Sequence, residues 1–111
     1  MEVTLREALY YQKENGIVPF LKWLYSIEDR ITRAKIRIRL DRMSAGNLGD
    51  CRPVGDGVNE ARIDYGPGYR IYFAFDGEKI VVVLCGGDKS SQGKDIRLAK
   101  EYWLDYKRED H

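Results

Sequence analysis

The stretch Val58–Cys85, VNEARIDYGPGYRIYFAFDGEKIVVVLC, decides how this chain folds. Three β-rich runs, Val58 to Tyr65, Tyr69 to Phe75 and Ile80 to Cys85, are separated by Gly66-Pro67-Gly68 and by Asp76-Gly77. Such punctuation reads as hairpin turns, so the segment is expected to form an antiparallel meander. Side chains two apart share a face of a strand. Tyr69, Ile71, Phe73 and Phe75 therefore point one way, to a core, and Arg70, Tyr72 and Ala74 point to a wetter side. In the preceding run Ala61, Ile63 and Tyr65 share one face, leaving Glu60, Arg62 and Asp64 on the other. A hairpin register that aligns the two polar faces brings Arg62 and Arg70 together with Tyr72 and Glu60.

On the N-terminal side, Val3, Leu5 and Glu7 alternate with Glu2, Thr4 and Arg6, which predicts a short strand closed off by Asn15-Gly16. Pro19 suits a first helical turn, and Phe20, Trp23, Leu24 and Ile27 follow at the spacing of one helical face. A second helix is expected from Asp29, a good N-cap type, to about Ser44, stopped by Ala45-Gly46-Asn47. On the C-terminal side Ser90 and Ser91 are candidate caps of a last helix whose inward face is Ile96, Ala99, Trp103 and Tyr106. The order strand, two helices, meander, helix makes an α+β protein with its helices expected on one face of the sheet.

At 111 residues, 43% hydrophobic, 12% aromatic and 33% charged, the chain has apolar material for one domain, residues 1–111, and too much for a disordered one. Nineteen basic residues against eighteen acidic ones leave a net charge of +1, so any nucleic-acid site must be a local patch. Cys51 and Cys85 lack the spacing of a disulfide framework or a metal site, which fits a reducing cytoplasm. No signal-peptide core and no run near 18 apolar residues occurs, so no membrane association is expected. His111, the single histidine, stands last, and neither a histidine base, a metal site nor a cofactor is expected.

Two arginines beside a tyrosine on a rigid sheet suit phosphodiester cleavage without a metal, because fixed guanidinium donors hold the phosphate and stabilise its developing charge. On pattern alone the plainer reading is that these charges pair with one another on a solvated face. The segment Gly86-Gly87-Asp88-Lys89-Ser90-Ser91 ends an apolar strand and opens a helix, where backbone N–H groups favour an anion. It is either a phosphate contact, with Ser90 in reach, or a turn with a capping serine. It lacks the spacing of a nucleotide-triphosphate loop. Basic residues also gather in the second helix as Arg30, Arg33, Lys35, Arg37, Arg39 and Arg42, a candidate RNA-facing surface. That helix carries two apolar stripes, Ile31, Ala34 and Ile38 opposite Ile36, Leu40 and Met43, so it is expected to have two neighbours.

Four stretches, Phe20–Leu24, Arg39–Asp50, Gly55–Arg70 and Leu84–Gln92, resemble the addiction-module killer proteins of the RelE/ParE superfamily, in the phage Gp49-like, HigB-like branch. The likeness spans nearly the whole chain in order. It implies the RelE-like fold, a helical hairpin on a small antiparallel sheet, and a toxin silenced by a cognate antitoxin, often a helix-turn-helix protein. It further implies action on mRNA at the ribosome, the ribose 2′-hydroxyl attacking the adjacent phosphate. On that resemblance Arg62 and Arg70 hold the phosphate, and Glu60 precedes Arg62 as the family pattern expects; the sheet face, the turn and the basic helix add Tyr72, Glu60, Ser90 and Arg37 as candidate substrate contacts. Where relatives place a tyrosine or histidine for proton transfer, this chain has Asp88 and Lys89, a candidate base and a candidate phosphate clamp. Two other readings stay open: a ParE-like inhibitor that binds DNA gyrase and cleaves nothing, and a non-toxic interaction module, with a homodimer through the second helix as one form of it.

Overall fold

A computed structural model describes residues 4–109. Its centre is a five-stranded sheet in the order β1-β5-β4-β3-β2. The strands are β1 (Glu7–Tyr10), β2 (Cys51–Gly55), β3 (Val58–Ile63), β4 (Tyr69–Asp76) and β5 (Ile80–Asp88), and the helices are α1 (Pro19–Ser26), α2 (Arg30–Ser44) and α3 (Gln92–Arg108). The meander forms as its turns demand, β3 antiparallel to β4 and β4 to β5, with Arg62 opposite Arg70 and Glu60 opposite Tyr72.

Several boundaries differ from expectation for identifiable reasons. The N-terminal strand is not the Val3 to Glu7 run. It begins at Glu7 and pairs in parallel with β5, Glu7 opposite Ile80, which makes the sheet mixed. Leu5 is exposed, and Val3 lies outside the described residues. Strand β2 had no sequence signal because Pro53 cannot donate to a ladder. On an edge strand that loss is tolerated, and the pairing shifts register between Pro53 and Gly55. The tight β2–β3 turn holds Asp56 at φ 57° between Gly55 at φ 103° and Gly57 at φ 83°, a left-handed run that the glycines make possible.

The helices cover both faces of the sheet, not one. Phe20 and Leu24 of α1 and Ile36, Leu40 and Met43 of α2 pack with Ile71, Phe73, Val81 and Val83. Ala99, Trp103 and Tyr106 of α3 pack on the opposite side with Tyr72, Ala74, Val82 and Leu84. Both sides of β4 are therefore buried, and the expected wet face holding Arg70, Tyr72 and Ala74 lies under α3. The two-stripe reading of α2 is half met. Ile36, Leu40 and Met43 are buried, while Ile31 and Ile38 are exposed.

Local chemistry sets the helix ends. Pro19 starts α1. Asp29 caps α2, its carboxylate accepting from the Ile31 and Thr32 amides and, at 2.7 Å, from the Thr32 hydroxyl. Among the described residues no helix is long and apolar enough to cross a membrane.

Candidate phosphate-binding cleft

Because β3 and β4 pair in this register, Arg62 and Arg70 sit side by side on the α3 side of the sheet. Their environments differ. Arg62 lies at the margin, its side chain 44% exposed, in an ion pair with Asp50 at 3.3 Å. Arg70 is 9% exposed, and its Nε lies 3.4 Å from Oε2 of Glu60 without forming an aligned hydrogen bond. Its Nε and Nη1 are buried and meet no hydrogen-bond acceptor. A buried guanidinium with unused donors is costly, and such groups cluster where a ligand completes them.

Both arginines line a cleft of about 370 Å³ together with Lys89, Asp50, Asp64, Tyr69 and the Gly66-Pro67-Gly68 turn. The Lys89 amide donates to the Gly68 carbonyl at 3.0 Å, which ties the end of β5 to that turn and fixes one side of the cleft. The cleft contains three cationic side chains and two carboxylates, and one of the carboxylates already pairs with Arg62.

Glu60 holds Arg70 from below and is fully buried. It accepts from the Tyr72 hydroxyl at 3.1 Å and from Nε2 of Gln92 at 2.9 Å, and pairs with Arg52 at 3.3 Å. Burial opposes its charge, but the two hydrogen bonds and the two arginines outweigh burial and hold the carboxyl below its ordinary value. Burial and the Glu60 charge push the Tyr72 hydroxyl far up. Tyr72 and Glu60 are thus closed off from solvent, bonded to each other, with Glu60 beside Arg70.

Asp88 ends β5 and caps the single 3-10 turn Lys89–Ser91, its Oδ1 accepting from the Ser90 amide at 2.9 Å and from the Ser90 hydroxyl. The Ser90 hydroxyl leads the interactions that hold the Asp88 carboxyl below its ordinary value. Ser90 thus supports Asp88. Ser91 precedes α3 without capping it through its side chain, and its hydroxyl donates to Asp95 instead. Burial raises the Asp95 carboxyl.

The Gly86-Gly87 pair serves close packing. A Cβ on Gly86 would lie 2.3 Å from the Trp23 ring, and one on Gly87 would lie 1.8 Å from Oδ2 of Asp95. Neighbouring strand residues face opposite ways, so one glycine admits α1 and the next admits α3.

The basic helix divides as well. Arg39 turns inward and donates to the carbonyls of Leu48, Asp50 and Arg62, pinning the β2 entry and the Arg62 backbone to α2. Arg33 donates to the carbonyls of Ile27 and Glu28. Arg37 does not join the cleft. It lies over the Tyr25 ring, 5.7 Å from its centroid, on the other side of the sheet. Sequence reasoning missed Gln92, Asp50 and Asp95, and only the crowding implied by adjacent glycines hinted at Asp95. Among the described residues no group of three or more His, Cys, Asp or Glu side chains is arranged to hold a metal ion.

The molecule is thus an α+β protein with a cationic cleft at the end of its sheet. Residues 22–103 match the family described as Phage derived protein Gp49-like (DUF891). The chain is also 47% identical over 81 residues to an uncharacterized protein of Haemophilus influenzae, covering 73% of this chain and 82% of that one. The chain belongs to the Gp49-like family, a toxin-like, addiction-module family.

Proposed function

We propose that this chain is a single-domain, cytoplasmic toxin of a type II toxin–antitoxin pair, a HigB-like endoribonuclease that cuts mRNA at the ribosome and is neutralised by a cognate antitoxin of helix-turn-helix type. The observation that carries the reading is Arg70. It is nine-tenths buried with two nitrogens lacking acceptors, and it lines a cleft beside Arg62 and Lys89. A phosphate in that cleft would meet the fixed positive charge of this guanidinium together with Arg62 and Lys89.

In this reading the ribose 2′-oxygen attacks the adjacent phosphorus and the bond to the 5′-oxygen breaks, leaving a 2′,3′-cyclic phosphate. Asp88 takes the 2′-hydroxyl proton, and the departing 5′-oxygen takes one from solvent. Arg62, Arg70 and Lys89 bear the charge that develops on the phosphoryl oxygens. Asp88, held ionised by Ser90, is a weak base, which predicts a slow catalyst whose activity persists into mildly acid solution.

The test is induced expression in a bacterium with primer extension on a reporter mRNA, comparing wild type with Arg70→Ala and Arg62→Ala. Growth arrest with cuts that fall about a hundredfold or more in either variant supports the reading. Arg62 is the cleaner site, because its exposed ion pair can be removed without opening the core. Arrest without cuts sinks the nuclease reading and favours gyrase inhibition, in which Arg62 and Arg70 serve only their partners Asp50 and Glu60.

A further inference from the structure

The outer surface of α2 carries an apolar stripe that no part of the described chain covers. Ile31 and Ile38 are 59% and 49% exposed, with Ala34 exposed between them. Tyr25 of α1, 65% exposed, extends the patch beneath the Arg37 guanidinium. Single exposed apolar residues are ordinary, but a contiguous group marks an interaction site.

The borders of this stripe are mainly basic. At about 100° per residue, Arg30 and Arg37 run along one side and Lys35 and Arg42 along the other. Asp41, one turn on from Arg37, is the one acidic residue of the helix and lies on the Arg30 and Arg37 side, so that border is two cations to one acid and the other is wholly basic. Arg33 and Arg39 turn away onto backbone carbonyls, so these four cations are the ones that frame the stripe.

We infer that this face is the docking site of a protein segment that binds as an acidic amphipathic helix, apolar along one edge and lined by Asp or Glu on both sides. Charge complementarity selects that occupant. A second copy of the chain would set the same basic borders against each other. A nucleic acid would satisfy the arginines but leave Ile31, Ile38 and Tyr25 facing phosphates. The inference uses no residue that contacts the phosphate cleft, so it stands or falls apart from RNA cleavage. Its geometry nonetheless reaches that cleft. On the Lys35 and Arg42 side the helix opens onto a groove of about 230 Å³ lined also by Ile63 and Asp64, residues that line the Arg70 cleft as well. A polypeptide continuing past the docked helix along that groove arrives at Arg70.

The probe is a synthetic helical peptide of about twenty residues with a Leu and Ala stripe flanked by Glu, alongside a twin carrying Lys in place of Glu. Binding to the whole protein is followed by fluorescence anisotropy. The Glu peptide is expected to bind at least about tenfold more tightly than its twin, and less tightly as salt is raised. Ile38→Asp, and separately Arg30→Glu with Arg37→Glu, should each weaken it about tenfold. All three positions are exposed, so unfolding temperatures should not move. Equal binding of the two peptides, or none, overturns the inference. A dimer in sedimentation that Ile38→Asp disperses assigns the face to a second copy. Single-stranded RNA that binds here and is lost with the arginine reversals, while the peptide is ignored, assigns it to nucleic acid.

Discussion

The two faces of the sheet are built on opposite principles. Under α1 and α2 the buried cluster is Phe20, Leu24, Ile36, Leu40, Met43, Ala61, Ile71, Phe73, Val81 and Val83, hydrocarbon apart from one thioether, with the Thr32 hydroxyl, bonded to Asp29, the buried polar group on those helices among the described residues. Under α3, Tyr72, Glu60, Arg70 and Asp95 are buried among Val82, Leu84 and Trp103. Dispersion and the hydrophobic effect suffice for the first face. The second takes on the desolvation of charges, which apolar side chains of similar size would avoid. The difference teaches that the hairpin side supplies stability and that the α3 side uses some of it to hold a cation in place.

The sharpest way to break this division is Phe73→Ala. Phe73 is fully buried, so urea unfolding should show a loss of about 3–5 kcal/mol. The folded fraction should keep its Arg70 cleft and bind phosphate normally. A cleft that fails while the protein is still folded would show that the two faces are not separable.

Glu60→Gln probes the other face and should cost about 3 kcal/mol, because it strands a buried guanidinium. Its pH dependence carries the signature. The folded carboxyl lies below its ordinary value of 4.5, so its contribution is present above that pH and is lost as pH falls through the folded value. Wild type should therefore lose stability on acidification in that range, and Glu60→Gln should lose less. Asp95, raised by burial, tilts the other way: its contribution is present below its ordinary value and declines as pH rises. Parallel pH curves for wild type and Glu60→Gln would remove Glu60 from the account.

The smallest effect is expected at Arg62→Ala. Its pair with Asp50 is exposed, so stability should change by about 1 kcal/mol or less in thermal unfolding. A larger loss would place Arg62 in the structural framework with Arg39.

How far these features were legible in the sequence depends on what the residues encode locally. The meander was readable because Gly66-Pro67-Gly68 and Asp76-Gly77 fix turns, and turns fix register. The Arg62–Arg70 and Glu60–Tyr72 pairings follow from that register. Burial of the second face was not readable, since alternation equates a polar side chain with solvent, and nothing local tells α3 which side to cover. Strand β2 was hidden by Pro53, and the pairing of β1 depended on a partner far along the chain. Arg39 looked like its basic neighbours until the carbonyls of Leu48, Asp50 and Arg62 gave it a different task. Arg37 shared the composition of an RNA surface but stands across the sheet from the cleft.

The parallel pairing of β1 with β5 also orders events in time. Glu7 meets Ile80 some seventy residues later, a wait of roughly 4 to 15 seconds at ordinary rates of translation. Until then the first strand has no partner, and Glu60 lacks its bond from Gln92 for longer still. A polypeptide whose synthesis stalls before residue 92 therefore has the strands that carry Arg62 and Arg70 but lacks α3 to cover that face of the sheet and the Gln92 side chain that bonds Glu60.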